Sequence, residues 1–139
     1  CRRDCMIAFR YIVRLVLSGI PRDYWFLEFS NLAVDPMYVE LAKKYCAYIQ
    51  NFLRKGMGLM FLGPNVIGET SLMCEIGKHT IVNGVPVRYF TLPQYITAFQ
   101  TNDTMALQEM EEGKLLLIDE LDNNYIKMRS DFVIGISDS

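Results

Sequence analysis

The sequence has a single histidine, His79, and only four cysteines, Cys1, Cys5, Cys46 and Cys74. A zinc site of the Cys/His kind needs two closely spaced ligand pairs, and Cys1 with Cys5 supplies one at most. That pair is either half of a site whose other ligands lie upstream or two ordinary reduced thiols. Cys46 and Cys74 fall within apolar helical patterns and read as small core residues. No apolar run reaches membrane-spanning length; the longest, Tyr11 to Ile20, is short and contains Arg14. The opening CRRDC leads into no clean apolar stretch with a small-residue cleavage site, so no secretory leader is read and the expected compartment is the cytoplasm. A surplus of positive charge is also missing. With 14 Lys and Arg against 16 Asp and Glu the net charge is -2, which excludes whole-chain attraction to nucleic acid and leaves only local patches. There is no internal repeat and no low-complexity tract.

Apolar bulk is abundant: 51% of the 139 residues are hydrophobic, enough for the packed core of one domain. Because the chain opens on Cys1 rather than methionine, it is expected to be a piece of a longer reading frame. Arg3 to Ser18 reads as a helix with Ile7, Tyr11 and Leu15 on its apolar face, closed by Gly19 and Pro21. PRDYWFLEF is aromatic and irregular. Asp35-Pro36 is a helix start, and Met37, Leu41, Tyr45, Tyr48 and Phe52 then recur at helical spacing until Gly56. Residues 1–34 are therefore taken as a helix plus aromatic lead-in, and 35–139 as the main domain. Within the latter, Gly58 to Leu62 reads as a buried strand, Ser71 to Val82 as a helix closed by Asn83-Gly84, and Val87 to Leu92 as a second strand. Pro93 to Gln100 and Met105 to Glu112 read as helices, and Leu115 to Ile118 as a third strand. Strands alternating with helices in this way predict an α/β fold, a parallel sheet flanked by helices.

Two motifs carry chemistry. Between the first strand and its helix stands Gly63-Pro64-Asn65-Val66-Ile67-Gly68-Glu69-Thr70, followed by Ser71. A phosphate loop of the form G-x-x-x-x-G-K-[ST] curls backbone N–H groups around phosphate oxygens at a helix N-terminus. Its lysine reaches the β- and γ-phosphates, and its hydroxyl binds Mg²⁺. Both glycines and the Thr70 hydroxyl are in place, but Glu69 occupies the lysine position. Beside a polyphosphate this replaces attraction by repulsion, and a unit pair about 4 Å apart is worth on the order of 4 kcal/mol at an effective dielectric of about 20. Taken alone, the motif is also compatible with a plain glycine-rich turn.

The second motif, KLLLIDE from Lys114 to Glu120, is an apolar strand ending in two carboxylates. Asp119, at the C-terminal end of a strand, is placed to hold the magnesium shell, and Glu120 to orient an attacking water. The alternative is a strand leaving through acidic residues to solvent. The two motifs in the right order, with one strand between them, favour the phosphate-loop reading.

From about Ser18 to Ile134 the chain resembles the DnaC/IstB-type AAA+ ATPases, helicase loaders and transposition helpers. The resemblance is carried by SGIPRDYWFLEFSNL, GLMFLGPNVIGET, SLMCEIGKHTIVNGVPVRYFTLPQYI and KLLLIDELD. It implies a P-loop NTPase fold that binds ATP with Mg²⁺, assembles side by side as a homo-oligomer, and acts in DNA replication on a replicative helicase or a transposase together with single-stranded DNA. It also implies that Tyr24, Trp25 and Phe29 wall an adenine pocket; core packing is the alternative for these aromatics. Local DNA contacts would come from Arg2, Arg3, Arg10, Arg14, Lys43, Lys44, Arg54 and Lys55, which otherwise read as solvated helix faces.

Besides Glu69, two features depart from the family. No sensor residue is found at the end of a fourth strand: SDFVIGISDS reads either as such a strand or as a helix capped by Ser130-Asp131. No arginine finger is assignable, Arg129 being the only arginine after the acidic motif. The sheet is thus expected to be incomplete at its C-terminal side, with poor solubility from exposed edges. Three readings follow: a weakened ATPase domain, a non-catalytic interaction module on the same fold, or a fragment of an active enzyme carrying an introduced Lys→Glu change. A nucleoside kinase fits less well, since the paired IDE motif suits attack by water.

Overall fold

The local signals build most of the secondary structure of the computed structural model, which describes residues 2–59 and 68–120. The first helix, α1 (Arg2–Ser18), ends where Gly19 turns left-handed at φ +80. Two 3-10 turns, Arg22–Tyr24 and Phe29–Asn31, carry the lead-in. The helix α2 (Pro36–Ala47) begins on Asp35, whose side chain accepts a hydrogen bond from the Met37 N–H at 2.9 Å. After α3 (Ile49–Arg54) comes α4 (Glu69–Val82), then β1 (Val87–Thr91), α5 (Leu92–Gln100), α6 (Thr104–Glu112) and β2 (Leu115–Asp119). The Thr91 hydroxyl accepts from the Gln94 N–H while the Gln94 side chain accepts from the Thr91 N–H, a reciprocal cap that switches strand into helix at Leu92. Asp103 caps α6 by a single bond, its side chain accepting from the Ala106 N–H.

β1 and β2 pair in parallel, with Val87 opposite Leu115 and Thr91 opposite Asp119, so both strands end on the same edge. The fold is mixed α/β, as the alternation predicts. Side chains two apart share a face of a strand. Val87 and Leu117 therefore turn together toward α4, where they meet Gly77: a Cβ there would stand 2.6 Å from Leu117 Cδ1, 3.2 Å from Ile20 Cδ1 and 3.5 Å from Val87 Cγ1. The core has two clusters. One joins Leu15 and Ile20 of the lead-in to Cys74, Ile81, Val87 and Leu117, and the other joins Ala42, Tyr45 and Ile49 to Leu72 and Ile76. α4 belongs to both, so it is the central strut on which the N-terminal elements and the sheet are mounted. Gly77→Val is expected to destabilise the protein by about 1–3 kcal/mol through overpacking. The check is urea unfolding; an unchanged midpoint would show that the helix–sheet approach is not tight.

Three expectations need correction. The predicted helix from Asp35 to Gly56 is broken at Tyr48, whose backbone (φ -115, ψ 26) leaves the helical region. Ala42, Tyr45 and Ile49 keep one buried face across the break, which brings the rings of Tyr45 and Phe52 to 4.9 Å, although residues seven apart on a straight helix lie about 10 Å apart along the axis. The predicted apolar face is only partly buried: Tyr45 is covered, whereas Met37, Leu41 and Tyr48 face outward. On α1, Ile7 is likewise exposed, and only Leu15 and Ser18 are buried. Gly58 and Leu59 carry no strand, and the rest of the expected first strand, with Gly63 to Ile67, Cys1, Arg129 and the tail after Glu120, lies outside the described residues. No helix among the described residues is long and apolar enough to cross a membrane.

Candidate functional site

Gly68 precedes α4 with φ +105, a left-handed conformation that favours glycine. A Cβ at this position would also stand 2.5 Å from Val34 Cγ2, so the residue is fixed both by its backbone and by its neighbour. The first intrahelical bond runs from the Leu72 N–H to Gly68 O at 2.9 Å. The N–H groups of Glu69, Thr70 and Ser71 therefore lie in the opening turn, where the helix exposes its positive end.

Across from this turn stands the end of β2. The strand alternation that aims Leu117 at α4 aims Asp119 the same way, one residue pair further toward the C-terminal edge. The Thr70 hydroxyl lies 3.1 Å from Asp119 Oδ1 and 3.0 Å from Oδ2, joining residues 49 apart in sequence. Two further donors hold the same carboxylate. The Tyr89 hydroxyl donates to Oδ2 at 2.6 Å, and the Glu120 N–H donates to Oδ1 at 2.8 Å. Asp119 is thus a half-buried acceptor fixed by two hydroxyls and a backbone N–H. Burial, with the Asp119 hydrogen bond and charge, pushes the Tyr89 phenol well up, so it stays a donor across the physiological range.

Glu120 is exposed and has φ +61, uncommon for a residue with a side chain. Such a conformation costs on the order of 1 kcal/mol or more and is found where the surrounding structure dictates it. Glu69 is half-buried in the first turn of α4; burial and then the Asp119 charge raise its carboxyl above the ordinary value. Glu69 is the acidic residue in the first turn of α4, where the helix dipole favours negative charge.

Of the residues singled out in the sequence, Thr70 and Asp119 come together in direct contact. Gly68, Glu69 and Ser71 frame the same helix end, and Glu120 follows Asp119 on the strand's exit. Gly63, Pro64, Asn65, Val66 and Ile67 fall outside the described residues. Among the described residues no group of three or more His, Cys, Asp and Glu side chains is placed to hold a metal ion. Thr70 and Asp119 offer hard oxygen donors that suit Mg²⁺, which binds one or two protein oxygens and completes its shell with water and phosphate. The lead-in aromatics are engaged in packing. Tyr24 and Trp25 lean on the first core cluster, with the Trp25 Nε1–H donating to Ile20 O at 2.7 Å, and Phe29 stacks on His79 at 5.0 Å.

Tyr89 was not visible as a site residue. In VRYFT it looks like any strand aromatic, and only the pairing register, which sets it opposite Leu117 on the α4 face, brings its hydroxyl to Asp119. An open cleft past Phe90, between α5 and α6, stands apart from the constellation and shares only Tyr89 with it. No family model, curated protein or solved structure matches the chain.

Proposed function

We propose that the chain is the nucleotide-binding part of a P-loop ATPase of the AAA+ type, akin to helicase loaders, with binding weakened by Glu69. The single observation that carries this reading is the Thr70–Asp119 contact. The hydroxyl of the loop motif and the first carboxylate of the acidic motif meet at the N-terminal end of a helix and the C-terminal edge of a parallel sheet. That is where α/β sheets bind ligands, and where Thr70 and Asp119 would hold a magnesium ion that neutralises phosphate charge. In this reading, bound ATP–Mg²⁺ supplies the scissile phosphoanhydride and the charge-neutralising cation. Asp119 and Thr70 would hold the metal, the N–H groups of Glu69, Thr70 and Ser71 would donate to phosphate oxygens, and Glu120 would orient the attacking water. Tyr89 keeps Asp119 in one orientation. A replicative helicase or transposase as partner, single-stranded DNA, and homo-oligomeric assembly rest on the sequence resemblance.

A specific observation also favours a second reading, a non-catalytic interaction module. Glu69 already places a negative charge at the helix end, so α4 needs no bound anion to satisfy it.

The two readings part on a pH titration of ATP–Mg²⁺ binding. The Glu69 carboxyl is raised, so it neutralises before an ordinary carboxyl does as pH falls. The repulsion from phosphate is complete where Glu69 is ionised and fades as pH falls through its raised value. Affinity is expected to tighten as pH falls from neutrality through the raised Glu69 value in the native chain, beyond any change in Glu69→Gln, which removes the charge but keeps the shape. Titration calorimetry of both proteins checks this. If both are folded and neither binds at any pH, the ATPase reading fails and the module reading stands.

A further inference from the structure

The N-terminal helix buries very little of itself. Leu15 and Ser18 are its buried residues and Tyr11 is half-covered, all on the side packed against α4 and β1. On the opposite side Met6, Phe9, Ile12, Val13, Val16 and Leu17 are exposed, with Phe9 at 69% and Leu17 at 61%. At 100° per residue these six and Cys5 fall within an arc of roughly 140° that runs the length of a helix about 25 Å long; Arg2, the first residue of the helix, is the one charge inside the arc, and exposed Ile7 lies outside it. An apolar face of that width is typical of a helix that packs against something. The charges beside it are one-sided. Arg3, Arg10 and Arg14 project together along one border of the arc, all exposed, and no ion pair engages them among the described residues. The one acidic residue of α1, Asp4, points toward the packed side. The other border of the arc runs directly into the protein body at Leu15.

We propose that this outward face of α1 is the docking surface for a partner helix that carries an apolar stripe bordered on one side by a row of Asp and Glu. The charge pattern selects the partner. Nucleic acid would use the three arginines but leave Phe9, Ile12 and Val16 in water, whereas a helix covers both. A bilayer is met most evenly by a helix with cations along both borders of its apolar face, and here one border is protein core. A facing acidic row pairs with the arginine border and fixes the register of the two helices, while the apolar arc supplies the attraction. The inference rests on α1 alone and is independent of the nucleotide reading.

The test uses the full chain and two fluorescent synthetic peptides of about three heptads with Leu at the a and d positions, one bearing Glu and the other Lys along one border. Anisotropy titrations are expected to show the Glu peptide binding at least about tenfold more tightly than the Lys peptide. Arg3→Glu/Arg10→Glu/Arg14→Glu should invert that order. Phe9→Ser/Val16→Ser should abolish binding of both; since both side chains are exposed, the melting profile should remain that of the native chain. The proposal is overturned if the two peptides bind alike, if the Glu peptide does not bind, or if binding survives loss of Phe9 and Val16. It is equally overturned if the same variants instead abolish binding to anionic phospholipid vesicles, to a single-stranded oligonucleotide or to a second copy of the chain by sedimentation.

Discussion

Glu69→Lys is expected to tighten ATP–Mg²⁺ binding by about 100-fold or more over the native chain. Glu69 is the first residue of α4 and half-buried beside Asp119, so its side chain starts within reach of any phosphate seated on the helix end. Two unit charges about 4 Å apart interact by on the order of 4 kcal/mol at an effective dielectric of about 20, and reversal of sign roughly doubles the difference. Turning the side chain to solvent, together with ionic screening, removes much of that. A remainder of about 3 kcal/mol still corresponds to about two decades in the dissociation constant. Burial and the Asp119 charge raise the Glu69 carboxyl, so its ionised form opposes folding at neutral pH, and Glu69→Lys should melt no earlier than the native chain in the absence of ligand. A gain in ATP–Mg²⁺ affinity far larger than any shift in the ligand-free melt separates this account from a general improvement in folding. Calorimetry with ATP–Mg²⁺ and a thermal melt without it check the two halves. A lysine variant that folds yet binds no better would show that the helix end is not a phosphate site, and the contact of Thr70 with Asp119 would then be a structural link.

The parts of the site that the sequence disclosed are those set by local chemistry. Gly68 could be singled out because the loop pattern needs a left-handed backbone there, and Asp119 because an apolar strand that ends in carboxylates places them at a sheet edge. The helix cap at Asp35 was legible for the same reason, since it depends on a residue two positions on; the Thr91 cap was not, because the strand pattern runs through Thr91 to Leu92. What escaped depends on contacts distant in sequence. The outward turn of Met37, Leu41 and Tyr48 is decided by where α2 meets α4, which helical periodicity alone does not fix. Tyr89 becomes a partner of Asp119 only through the register of two strands separated by α5 and α6. Lys78 is the clearest case. Nothing in EIGKHT marks it as buried, yet it is 5% exposed, because the lead-in folds back over α4 and presents carbonyl oxygens to it.

Lys78→Met is expected to cost about 3–5 kcal/mol of stability. The ammonium donates to Trp25 O at 3.2 Å and to Leu27 O, and it pairs closely with Glu75 one turn earlier. Glu75 is itself 2% exposed, and its Oε1 has no hydrogen-bond partner beyond that ion pair. Burial raises the Glu75 carboxyl above its ordinary value; Lys78 is the main opposing influence, His79 adds a smaller one at 3.9 Å, and Glu28 acts in the same direction as burial. Removing Lys78 therefore leaves a buried carboxylate unpaired and two carbonyls unanswered, the situation in which breaking one half of a buried pair is most damaging. The sign of the pH dependence follows. A carboxyl whose folded-state value is raised contributes stability below its unfolded value and loses it as pH rises through the folded value. Without Lys78 that rise becomes steeper, so the deficit of Lys78→Met should be greatest near neutrality and shrink toward about pH 4–5. Adding Glu75→Gln should recover part of it, since the double variant strands no charge. For a chain of this size the neutral-pH deficit corresponds to a fall in melting temperature of about 10–15 °C. A deficit independent of pH, or one that Glu75→Gln deepens, would mean that Lys78 acts through its two carbonyl bonds to the lead-in, with the ion pair contributing nothing.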